Sequence, residues 1–175
     1  MRPETCQRPG MDLYVIRHAI AEEAREDQPD TERALTRKGR RRFREVVRGL
    51  DALGVELDRV LYSPWTRAAE TAHLLGPVIA DRRRDALVAT DALTGSPNQQ
   101  LLDLMFAHSA AGTVAVVGHE PWLSELVALL VVGDVLKRGA FSLKKGCVAK
   151  LDGDAAPAGM VLRSLVQPKL LRRLA

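Results

Sequence analysis

Short apolar runs in this chain repeatedly end in a cluster of polar side chains with a helical stretch behind it, and that recurrence restricts the fold more than any other feature. Residues 13–16 (Leu-Tyr-Val-Ile) lead into Arg17 and His18, residues 59–62 (Arg-Val-Leu-Tyr) into Ser63 and Pro64, and residues 113–117 (Thr-Val-Ala-Val-Val) into Gly118-His119-Glu120-Pro121. Runs this short and continuously apolar suit strands buried on both faces. Between the first two, Phe43, Val46, Val47, Leu50 and Leu53 recur at helical spacing, with Thr36 placed to cap the helix and Gly54 just past its end. A second helix is expected over 64–75, with Ser63 as its cap, Pro64 at its first position and Gly76-Pro77 as its stop. Residues 98–108 and a stretch from 118 to 130 supply two more. Residues 86–90 read as a further strand, and 147–151 and 160–166 as a pair around the turn at 152–159, at an antiparallel end of the sheet. Strands alternating with helices predict an α/β fold, a three-layer α/β/α sandwich with a mostly parallel central sheet.

The length of 175 residues suits one domain, expected over 11–168, with a disordered tail at 1–10 and a basic tail at 169–175, either a short helix or disordered. A content of 46% hydrophobic and 27% charged residues is that of a globular chain. The longest apolar run, 126–132, falls far short of the ~20 residues that span a bilayer, and residues 1–10 lack the apolar core of a secretory signal. No membrane association is expected. Cys6 and Cys147 have neither metal-ligand spacing nor a paired framework, so a reducing, cytoplasmic compartment is the expectation. The net charge of +4 owes much to Arg37, Lys38, Arg40, Arg41, Arg42, Arg44 and Arg48 on the first helix. The default reading of such a run is a solvated face; docking of an acidic partner is the alternative. Nucleic acid is not expected, because no aromatic residues are interleaved with these bases.

In open α/β sheets, ligands gather outside the carboxyl ends of the strands, so the polar clusters that follow the apolar runs can converge. Two histidines and two arginines there, His18, His119, Arg17 and Arg67, form an inventory suited to an anion: guanidinium matches phosphate oxygens in pairs, and imidazole supplies a nucleophile or a donor. There is no Gly-x-Ser-x-Gly elbow and no Gly-rich phosphate loop ending in Gly-Lys-Ser/Thr. His73 and His108 lie inside helices without ligand spacing and are read as structural.

Taken in order, Arg17-His18-Ala19, then Arg33-Ala34-Leu35-Thr36 with Gly39, then Ser63-Pro64-Trp65-Thr66-Arg67-Ala68 with Thr71, then Gly118-His119-Glu120-Pro121, resemble the histidine phosphatase superfamily, the phosphoglycerate mutase-like fold. The short chain and the Arg-x-Leu-Thr segment look most like its small phosphohistidine phosphatases of the SixA type. The resemblance runs from residue 11 to about 166. It implies that His18 accepts the phosphoryl group, that Arg17, Arg67 and His119 line the phosphate pocket, and that Arg33 is a further phosphate or substrate contact. Phosphoryl transfer asks for an in-line nucleophile and positive groups around the equatorial oxygens, which is what these residues offer. His18 must then be neutral at its attacking nitrogen, with a backbone carbonyl fixing the tautomer, whereas His119, if protonated, acts as a charged donor. No cofactor and no metal is called for.

The chain departs from the family pattern in two places. The usual Arg-His-Gly is Arg-His-Ala here, so the methyl of Ala19 narrows the approach beside the nucleophile. Where larger members carry an acidic residue before Leu-Thr, this chain has Ala92, and Asp91 is the nearest candidate for a general acid. Glu70, three residues after Arg67, is expected to pair with it along the helix. A weak acid matters least when the leaving group is already good, which favours phosphohistidine on a protein, with phosphoanhydrides, nucleotides or polyphosphate as the alternative and a non-catalytic phosphate-binding module as the second. The expected partner is thus a phosphorylated protein or a small phosphorylated substrate, and the expected state a monomer or weak dimer.

Overall fold

The structure, a computed structural model, describes residues 10–175. The tail expected over 1–10 therefore lies, apart from Gly10, outside the described residues. Six strands form one sheet: β1 (Met11–Arg17), β2 (Arg59–Tyr62), β3 (Leu87–Ala89), β4 (Thr113–Gly118), β5 (Val148–Gly153) and β6 (Met160–Val166), in the spatial order β3-β2-β4-β1-β5-β6. The first four in that order run parallel; β5 pairs antiparallel with β1, and β6 antiparallel with β5. The sheet is therefore mixed, mostly parallel, with its antiparallel end formed by the last two strands.

Period-two alternation along β1 divides the core. Leu13 and Val15 point into one apolar cluster with Leu101, Met105 and Leu126, contributed by α3 (Gln99–His108) and α4 (Trp122–Val132). Tyr14 and Ile16 point to the opposite cluster, with Phe43, Val47 and Ala68 from α1 (Arg37–Ala52) and α2 (Thr66–Leu74). Each face of the sheet is thus covered by helices, giving three layers.

Local chemistry sets the helix ends. Thr36 Oγ1 accepts from Gly39 N at 2.8 Å, capping α1 as the sequence predicts, and Asn98 Oδ1 accepts from Leu101 N at 3.0 Å to cap α3. At α2 the structure corrects the expectation. The helix begins at Thr66, after Trp65, so Ser63 is not its cap: the fully buried Ser63 hydroxyl lies 2.9 Å from His119 Nε2 and accepts from Trp65 N at 3.4 Å, ahead of the helix proper. A short helix, α5 (Pro168–Leu171), closes the chain against α1: Leu171 is buried in the α1 cluster, and Arg172 Nε lies 2.6 Å from Glu45 Oε2. Backbones meet so closely there that a Cβ at Gly49 would stand 2.2 Å from the Leu171 carbonyl oxygen. No helix among the described residues is long and apolar enough to cross a membrane.

Candidate active site

Strand register brings the polar clusters level. Arg17 sits opposite Gly118 across the β1–β4 pair, and His18 N donates to Gly118 O at 3.1 Å, so the residues that follow the two strands leave the sheet side by side. On the other side of β4, Tyr62 is opposite Val117, and Ser63 N donates to Val117 O at 3.0 Å. His18, Ser63, Arg67 and His119 are all buried, and the two imidazole centroids are 5.2 Å apart.

The tautomer of His18 follows from its partners. Nδ1 lies 2.7 Å from the Ala19 carbonyl, which can only accept, so Nδ1 carries the proton and Nε2 presents its lone pair. Arg67 Nε–H points at that nitrogen from 3.3 Å. Burial, foremost, lowers the pKa of His18 to about 3; the Ala19 hydrogen bond opposes the shift, and the fields of Arg67, Arg17 and Lys145 add to it. A neutral, singly oriented imidazole is the form able to attack phosphorus. Ala19 N in turn donates to Thr71 Oγ1 at 3.1 Å, and that hydroxyl donates to Arg67 O at 2.6 Å, which ties the turn after β1 to α2.

His119 Nε2 is 2.9 Å from Ser63 Oγ, and its Nδ1 is buried without a partner. Its pKa is also lowered to about 3, by burial first and then by His18 and Arg67. The ring is therefore neutral at neutral pH, and a charged-donor role requires that a bound dianion raise it. Two tryptophans wall the ring: Trp65 at 4.5 Å and Trp122 at 6.0 Å between centroids. The Arg67 guanidinium carbon also lies 4.8 Å from the Trp65 ring. Arg17 donates from Nη1 to Leu143 O at 2.7 Å while its Nε is buried and unpartnered, and burial lowers its pKa against the opposing field of Glu120. The Glu120 carboxyl is itself pushed up by burial.

The residue that sequence reasoning missed is Asp30. It lies in the stretch 22–33, whose density of charge signals only a loop, yet the structure folds it into the 3₁₀ turn Asp30–Glu32 over Arg67. Arg67 donates from Nη1 to Asp30 O at 2.5 Å and from Nη2 to Asp30 Oδ2 at 2.8 Å, and Arg33 Nε lies 2.7 Å from Asp30 Oδ1. Although desolvation opposes it, the hydrogen bond and charge of Arg67 hold the Asp30 carboxyl below its usual range, so it stays ionised. Arg33 thus reaches the site through Asp30, and also donates from Nη1 to Glu22 O at 2.9 Å.

Glu70 is not the partner of Arg67. It accepts from Leu35 N at 2.6 Å and pairs with Arg40 of α1 at 2.5 Å, because the α1–α2 packing places that base nearer. Asp91 is exposed at the start of the 3₁₀ turn Asp91–Leu93. The buried residues of that turn are Ala92 and Leu93, and the Asp91 side chain has no hydrogen bond or ion pair among the described residues. His73 Nδ1 is 2.7 Å from the Ala69 carbonyl within its own helix, away from the two site histidines.

A buried, neutral histidine beside two arginines and a second histidine at the carboxyl ends of parallel strands has the chemistry to hold an anion and to offer a nucleophilic nitrogen to it. Residues 13–88 match the family described as the histidine phosphatase superfamily (branch 1). An uncharacterised protein of Picosynechococcus sp. is 30% identical over 143 residues, covering 78% of this chain and 86% of its relative. The protein histidine phosphatase SixA, solved in complex with tungstate, superposes with a TM-score of 0.76 at 23% identity over 92% of this chain and 99% of that one. An alpha-ribazole phosphatase from Shigella flexneri superposes with a TM-score of 0.69 at 19% identity over 90% and 97%. The chain belongs to the histidine phosphatase superfamily, and its fold is like that of SixA.

Proposed function

We propose that the protein hydrolyses phosphohistidine on an acceptor protein through a covalent phosphohistidine at His18. The observation that carries this reading is the His18 imidazole, held neutral and fixed by Ala19 so that Nε2 faces a cationic, buried pocket. The Nε2 lone pair bonds to phosphorus as the P–N bond to the substrate imidazole breaks; the substrate ring, already protonated by solvent at its other nitrogen, takes the bonding pair and leaves as neutral imidazole. Arg17, Arg67 and His119 stabilise the charge on the equatorial oxygens. Water then attacks the phosphorus, the P–Nε2 bond breaks, and phosphate leaves with His18 restored.

The choice of substrate follows from the proton supply. Of the carboxylates described around the site, Asp30 is ionised by Arg67, and Asp91 is exposed. Glu120, next to His119 in the chain, is shifted by burial toward its protonated form against the hydrogen bond of Ser124 and the field of Arg17, which leaves it the one candidate proton donor among them. A leaving imidazole needs less help than an alkoxide, so a phosphoramidate suits the site better than an alkyl ester. With a radiolabelled phosphohistidine protein, the wild type acquires an acid-labile, alkali-stable label during turnover. His18→Ala acquires none and loses turnover by at least about 10³-fold. Turnover without any such label, or equal turnover of a simple alkyl phosphate, would sink the reading.

A second reading, a small-molecule phosphatase acting on phosphoanhydrides, nucleotides or polyphosphate, is favoured by the likeness to the alpha-ribazole phosphatase. Under it, pyrophosphate-type substrates would be turned over faster than the phosphorylated protein.

A further inference from the structure

We propose that a cationic cleft beside the catalytic pocket is a docking subsite for an acidic segment of the phosphorylated partner protein, an inference that rests on the protein-substrate reading above. The cleft has a volume of about 350 Å³ and lies between the turn after β1, the N-terminal half of α1, the 144–146 turn before β5, and α5. That size is at the lower end of the roughly 300–1,000 Å³ usual for ligand sites. Phe43, Val46 and Pro168 give it an apolar lining, and Arg42, Lys144, Lys145 and Arg172 supply charge. Arg17 and Ala19 line it as well, so it adjoins the residues on either side of His18.

A census of charge favours an anionic occupant. No acidic side chain lines the cleft. Arg172 is matched by Glu45, but Arg42, Lys144 and Lys145 form no ion pair among the described residues. The Nε atoms of Arg42 and Arg17 are both buried without a hydrogen-bond partner. Other bases also lack an ion pair among the described residues, Arg37, Lys38, Arg41 and Arg44 on the outer face of α1 among them, but those are on a solvated surface, whereas the cleft combines unmatched cations with guanidinium nitrogens buried without a partner. Cations left unmatched around one cleft give it a positive field that attracts an acidic ligand.

The apolar lining decides the kind of anion. A bare polyphosphate chain would meet the cations and leave the accessible apolar faces of Ile20 and Pro168, both half-buried in the lining, against water. A peptide that carries an apolar side chain between two carboxylates satisfies both, with the apolar group against Ile20 and Pro168 and the carboxylates on Arg42, Lys144 and Lys145. Because the cleft shares Arg17 with the catalytic pocket, such a segment would lie within a few residues of the phosphorylated histidine.

The test uses peptides carrying a non-hydrolysable phosphohistidine isostere, flanked by Glu-Leu-Glu, Ser-Leu-Ser or Lys-Leu-Lys, with binding followed by fluorescence anisotropy. The wild type should prefer the acidic over the basic flank by about tenfold or more, with the preference shrinking as salt is added. Lys144→Glu, at an exposed position, and Lys144→Gln as a milder variant should reduce or reverse that ratio, which is read within each protein and is independent of its overall activity. Replacing the peptide Leu by Ser should weaken binding of the acidic peptide. Equal affinity for the three flanks would overturn the proposal, as would a preference that Lys144→Glu leaves unchanged. Competition by tripolyphosphate but not by the unphosphorylated acidic peptide would also overturn it, in favour of a small anhydride. If the unphosphorylated acidic peptide binds in a Lys144-dependent way while phosphohistidine protein is not hydrolysed, the cleft stands and the substrate reading falls. Hydrolysis without flank preference shows the reverse.

Discussion

Arg67 divides its donors between the nucleophile and a carboxylate. Its Nε faces His18 Nε2, and both terminal nitrogens are held by Asp30, one by the backbone carbonyl and one by the side chain. That arrangement makes Asp30 a positioning residue: it fixes the plane of the guanidinium while leaving other N–H groups for an anion. Asp30→Ala should therefore lower kcat by about 10- to 100-fold, since a loosely held guanidinium misplaces charge in the transition state. Asp30→Asn, which keeps an acceptor oxygen, should lose less activity, and Asp30→Ala should also lower the melting temperature more than Asp30→Asn, because it leaves the buried Arg67 guanidinium without a side-chain acceptor. Equal activity of all three proteins would show that Arg67 needs no such support. This carboxylate could not be read from the sequence. Asp30 is one of 22 acidic residues and sits in a stretch with no periodicity, and a charge there has no sequence-level sign of which base it will meet.

The strands and helices were far more legible, since their evidence is local. The apolar runs at 59–62 and 160–166 became β2 and β6 with the same bounds, and the cap Thr36 holds the helix it precedes. Where a residue had two possible employers, sequence reading chose wrongly. Ser63 looks like a cap, but its hydroxyl is worth more against a buried imidazole nitrogen that would otherwise lack a partner. Glu70 looks like an intrahelical partner for Arg67, but packing of α1 on α2 offers it Arg40 and the amide of Leu35. At the chain end, α5 acquires its stability from α1 and not from its own length, being only four residues long. Leu171→Ala should accordingly destabilise the protein by about 2–5 kcal/mol, a loss of buried side chain that urea denaturation would detect. A change under about 0.5 kcal/mol would mean that the end of the chain is not seated on α1.

For the molecule as a whole, burying two histidines in one cationic pocket ties stability to pH. Both pKa values fall to about 3, from an ordinary value near 6.5, so the unfolded chain binds protons that the folded one refuses. Their contribution is fully present above about pH 6.5 and is lost as the pH falls toward about 3. Stability measured by denaturant titration should decline across that window, and a His119→Asn variant should decline less steeply. A decline of the same slope in both proteins would show that the ring is not held neutral. The sequence by itself determined the class of fold, the strands and their polar exits, because side-chain periodicity and turn chemistry are properties of neighbours in the chain. It also singled out His18, Arg17, Arg67 and His119 as the groups suited to a phosphoryl centre. Only the tertiary structure decided that β1 and β4 are adjacent and in register, which sets His18 beside His119 across 101 positions of sequence. It alone placed Asp30 on Arg67 and left Arg42, Lys144 and Lys145 unmatched around one cleft. Those choices depend on distances between elements, and electrostatic pairing is selective only once packing has fixed which charges can approach.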